Sequence, residues 1–149
     1  MTAMKHIISI FLAAWMLVGC STLGPSSAQD ASATSKVLFR GQEHVLIWIE
    51  GAPSMGMAIA STVIGSMGLE SSTVARIHQA ISPADSTPVR VAVSGEDSRF
   101  VAKAILAALD QVQGDLPKLT LAYVGNPADA GDIRAAVEAK GGTFLFAPS

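Results

Sequence analysis

The chain has 149 residues, 50% apolar and 15% charged, which suits one domain and is too hydrophobic for general disorder. A formal charge of −2 with no basic stripe argues against a nucleic-acid partner, and a single cysteine excludes both an internal disulfide framework and a cysteine-based zinc site.

In chain order, Lys5 and His6 form a short polar start, and Ile7 to Val18 is an apolar run broken only by Ser9. A membrane-crossing helix needs about 20 such residues. The run is shorter and matches the apolar region of a secretory signal peptide, followed by small residues where cleavage occurs. The motif Leu17-Val18-Gly19-Cys20 closes it and holds the one cysteine. This motif resembles the lipobox of bacterial lipoproteins, a resemblance confined to the export segment. It implies that residues 1–19 are removed and that Cys20 is acylated, by palmitate or a similar chain on its thiol and by a second acyl group on the new amine. Several acyl chains give stable anchoring where one is marginal. Ser21 follows the cysteine in place of the aspartate that marks inner-membrane retention. The implied location is therefore the outer membrane, on its periplasmic face.

Ser21 to Ser35, "STLGPSSAQDASATS", is rich in Ser and Ala and lacks an apolar period. It is expected to be a flexible tether, so that 20–35 forms lipidated cysteine plus tether and 36–149 forms one domain. From there strand and helix patterns alternate. "KVLFR", 36–40, is a short strand candidate. "HVLIWIE", 44–50, is a continuous apolar run of β-branched and aromatic residues, as expected of a strand buried on both faces. "PVRVAVS" at 88–94, "KLTLAYVG" at 118–125 and "GTFLFAP" at 142–148 repeat the pattern. Between them, 53–81 suggests two helices broken near Gly68, the second carrying Val74, Ile77 and Ile81. Asp97 to Gln113 has an apolar face at Val101, Ile105, Ala108 and Leu109, a cap at Asp97 or Ser98, and a stop at Gly114. Ala128 to Lys140 has a narrower stripe and a stop at Gly141. Such alternation indicates an α/β fold: a small three-layer domain with a mostly parallel four- to five-stranded sheet and helices on its faces, of Rossmann-like or flavodoxin-like kind. Strand order is not readable from these patterns.

Motifs that could carry chemistry fall short of their patterns. "GAPSMGMA", 51–58, has the glycine spacing of a phosphate loop, but Met57 and Ala58 stand where Lys and Ser or Thr are needed, and Glu50 adds repulsion. Ser94 ends a strand without the flanking glycines of a nucleophile elbow. His44 and His78 are far apart in sequence and have no ligand pattern around them. The sequence therefore indicates no enzyme, no cofactor and no metal. Glu50, Ser54, Ser94, Glu96, Asp97 and Asn126 fall at or near the carboxyl ends of strands, where open α/β sheets bind ligands. They form a candidate rim for a small ligand or cation. For Asp97, as for Asp129, helix capping and dipole complementation is the simpler role. Gly51 to Leu69 carries no charge at all, which is unusual for a surface helix. Within it Ser61 and Gly65 are candidates for close packing, in the core or against a partner. The function expected is a non-catalytic, protein-binding or structural component of a cell-envelope assembly. Its contacts would be the membrane through Cys20 and a protein partner or a second copy. The alternative is a ligand-binding domain using the rim.

Overall fold

The apolar runs become four strands: β1 (Val45–Ile49), β2 (Val89–Gly95), β3 (Leu119–Gly125) and β4 (Thr143–Pro148). The structure, a computed structural model, describes residues 27–50 and 72–149. Cys20 with the lipobox, the glycine-spaced segment 51–58, the uncharged stretch 51–69 with the first of the two helices expected in 53–81, and Ser54, Ser61 and Gly65 lie outside the described residues. All strands pair in parallel, in the order β1-β2-β3-β4. Val91 of β2 stands between Val45 and Leu121, and Leu121 is paired in turn with Phe144.

The connecting helices are α2 (Ser72–Ile81), α3 (Ser98–Gln111) and α4 (Pro127–Ala139). When successive strands are neighbours and every crossover is right-handed, the crossover helices fall on one face. They do. Val74, Ile77 and Ile81 of α2, Val101, Ile105 and Leu109 of α3, and Ile133 and Val137 of α4 form one buried cluster with Ile47, Val91, Val93, Leu121 and Tyr123. The opposite face carries Leu46, Ala92, Ala122 and Leu145, which pack with Leu38 and Phe39. The result is the three-layer α/β class that the alternation indicated. Within that class the described order is sequential, whereas Rossmann and flavodoxin sheets reverse direction at a switch point and bind ligands in the crevice it leaves.

The layer on that second face corrects the sequence reading. Residues 28–35 are not a free tether, and "KVLFR" is not a strand. Both belong to α1 (Ala28–Leu38) and the turn after it, and α1 touches all four strands. Ser27 caps it, its hydroxyl accepting from the Asp30 N–H at 3.3 Å. Alanine is the strongest helix former, and Ser at the cap satisfies an orphan donor. Ala31 and Ser35 are fully buried and Phe39 nearly so. The helix closes with Arg40 in the left-handed region, φ +51°, while the Gly41 N–H reaches back to Lys36 O at 2.8 Å and the Arg40 N–H to Val37 O at 3.0 Å. This paired closure usually places glycine where Arg40 stands. α4 follows that rule, with Gly141 at φ +78° and the Gly142 N–H on Val137 O at 3.0 Å. Among the described residues no helix is long and apolar enough to cross a membrane.

Candidate functional site

The parallel sheet brings the carboxyl ends of β1, β2 and β3 side by side. Glu50, Glu96, Asp97 and Asn126 follow those ends directly, as their sequence positions implied. Their environment then decides what they do. Asp97 caps α3: its Oδ1 accepts from the Arg99 N–H at 3.0 Å and the Phe100 N–H at 3.1 Å. Asn126 caps α4, its Oδ1 accepting from the Ala128 N–H at 2.9 Å, with Pro127 at the first helical position where no N–H is needed. Ser94 is fully buried, and its hydroxyl donates to Val124 O at 2.9 Å, tying β2 to β3. Glu50 and Glu96 are exposed, and the Glu96 N–H donates to Ile49 O at 3.1 Å. Thus three of the rim's polar side chains are bonded to the protein's own backbone. The capping role expected for Asp97 holds. Asn126 shares it, and Ser94 is not an accessible nucleophile.

Tyr123 is the residue that sequence reasoning missed. It sits inside the β3 run, where the pattern marks it only as core. Its ring lies over Gly125, where a Cβ would collide with the phenol. Its hydroxyl therefore reaches the rim, donates to Ser98 O at 3.2 Å and accepts from the Asn126 N–H at 3.2 Å. One phenol so links the start of α3 to the start of α4. Burial pushes its pKa above the usual value of 10.0, and the Asp129 carboxylate adds to the shift.

His44 holds the fold together as well. The His44 ring stacks on Phe39, with centroids 4.6 Å apart. Its Nδ1–H donates to Gln42 O at 2.9 Å, and its Nε2 lies 2.8 Å from the Ser35 hydroxyl. This arrangement fastens α1 to the start of β1. His78 is half-buried on α2, with the Ser82 hydroxyl 3.4 Å from its ring nitrogens.

Among the described residues, concave surface is found away from the rim. A cavity of about 820 Å³ opens at the amino ends of β1 and β2, bordered by Lys36, Glu43, His44 and Arg90. A groove of about 500 Å³ runs between α3 and α4, and one of about 360 Å³ along β1 and α2. Among the described residues no three His, Cys, Asp or Glu side chains group as they would around a metal. The chain matches no protein-family model, no curated protein and no solved structure.

Proposed function

We propose that this chain is a lipid-anchored component of a bacterial cell envelope, held through Cys20 on the periplasmic face of the outer membrane and acting by binding protein. The observation that carries the non-catalytic part is at the strand ends, where Ser94, Asp97 and Asn126 bond to the chain's own backbone. In a sequential sheet those ends also lack a switch-point crevice among the described residues, which weighs against the ligand-rim alternative. The anchor rests on the lipobox resemblance of Leu17-Val18-Gly19-Cys20 and on the short apolar run before it.

Labelling cells with a clickable fatty acid tests the anchor. The wild-type chain is expected to take up label and to run as a processed form. Cys20→Ser is expected to take up none and to keep residues 1–19. An unlabelled wild-type chain would remove the lipoprotein reading.

A further inference from the structure

We infer that β4 is a self-association edge, and that a second copy of this chain pairs with it antiparallel about Leu145 to continue the sheet. This deepens the protein-binding reading and rests on it by naming the partner.

The argument begins with the backbone. β4 pairs with β3 on one side, and no described strand pairs on the other. The Ser149 N–H donates to Gly125 O at 2.9 Å, which places the odd-numbered residues of this strand toward β3. Alternate residues of a parallel strand address opposite neighbours. Phe144 and Phe146 therefore turn their N–H and C=O groups to the open edge. The next outward positions cannot donate there, since the Gly142 N–H is held by Val137 O at 3.0 Å and Pro148 has no N–H. The open ladder is thus limited to two donating residues, placed symmetrically about Leu145. An antiparallel second copy centred on Leu145 sets Phe144 opposite Phe146 of that copy, and Phe146 opposite its Phe144. Each such pair exchanges two hydrogen bonds, so all four outward N–H groups are satisfied.

Side chains agree with this register. Phe144 and Phe146 both belong to the three-helix face, where Phe146 already stacks on Tyr123 at 6.0 Å. Pairing extends that contact into aromatic cross-strand pairs, which stabilise sheets. On the α1 face the two Leu145 side chains meet as a non-hydrogen-bonded pair.

Charge selects this edge over the other. Monomeric proteins blunt open strands with charged residues or with proline on the edge, and on β4 Pro148 stands at the end of the ladder and leaves Phe144 and Phe146 open. β1 is bracketed by Glu43, His44 and Glu50, whereas Gly141 to Ser149 holds no ionisable side chain. A neutral strand meets its own copy without like-charge conflict. Arg134, 5.3 Å over the Phe144 ring, lies against the sheet face.

The test uses the full chain with Cys20→Ser in detergent, so that any introduced thiol stands alone. Under mild oxidation Leu145→Cys is expected to convert mostly to a disulfide-linked dimer, since directly opposed residues of such a pair lie within disulfide reach. Thr143→Cys alone is expected to stay unlinked, because it opposes Ala147, and mixing Thr143→Cys with Ala147→Cys is expected to restore the link. The parent chain should sediment as a dimer at micromolar concentration, a readout independent of any cysteine variant. A monomeric parent overturns the inference. So does a Leu145→Cys chain with unchanged melting and no link, or linkage through Ile47→Cys on β1 in its place. Fatty-acid labelling that fails while these links form would remove the anchor and leave the edge standing.

Discussion

Phe39→Ala should lower the unfolding free energy by about 3–5 kcal/mol, the usual cost of deleting a buried aromatic side chain. Phe39 is 3% exposed, packs on Ala92 and Ala122, and stacks on His44. It is the largest side chain that the α1 layer contributes to the second face. The loss would be compounded at His44, whose ring would keep its bond to Gln42 O but lose the surface it rests on. Urea melts of wild type and variant read the difference directly. A change below about 1 kcal/mol would show that α1 and the turn after it add little to the domain.

Tyr123→Phe should cost about 0.5–1.5 kcal/mol, because it removes two part-buried hydrogen bonds, the one accepted from the Asn126 N–H and the one donated to Ser98 O. The substitution also carries a pH signature. The folded protein raises the phenol pKa above its unfolded value of 10.0, so the folded state favours the neutral form. Stability from this difference is complete below pH 10 and is lost as pH rises from there through the higher folded pKa. Wild type should therefore show an alkaline loss of stability that Tyr123→Phe lacks. Melts from neutral to strongly alkaline pH, compared between the two chains, measure it. Parallel curves for wild type and variant would mean that the phenol is not held in the folded state as described.

What the sequence discloses and what it hides follow from side-chain size and sequence distance. The four strands and helices α2, α3 and α4 are legible because their inward residues are large and regularly spaced, such as Val101, Ile105 and Leu109 along α3. α1 is hidden because it buries Ala31 and Ser35 against the sheet, and a helix packed through small residues shows no apolar period. Its anchor, Phe39, lies one residue past the last helical position, and His44 lies further on. The rim was legible as a place, since parallel strands must line up their carboxyl ends. The partners of Ser94 and Tyr123 were not, because Val124 is 30 residues from the first and Ser98 is 25 from the second. Asp97 is ambiguous in the sequence between ligand and cap, and Asn126 reads there only as rim; the helix starts placed directly after them decide for the cap at both.

The central claim is that the domain works as an anchored binding module and that the strand-end side chains serve the fold. It is tested most directly by changing the rim while keeping its caps. Asp97→Ser and Asn126→Ser each retain a capping oxygen, and Glu50→Gln with Glu96→Gln removes the nearby charge. The four substitutions are placed together in the full chain, and cross-linking in intact cells is compared with wild type and with Cys20→Ser. The rim variant is expected to stay lipidated and to give the wild-type pattern of cross-linked proteins, while Cys20→Ser loses it. A rim variant that is folded and lipidated but has lost those cross-links would contradict the account and make the strand ends the binding site.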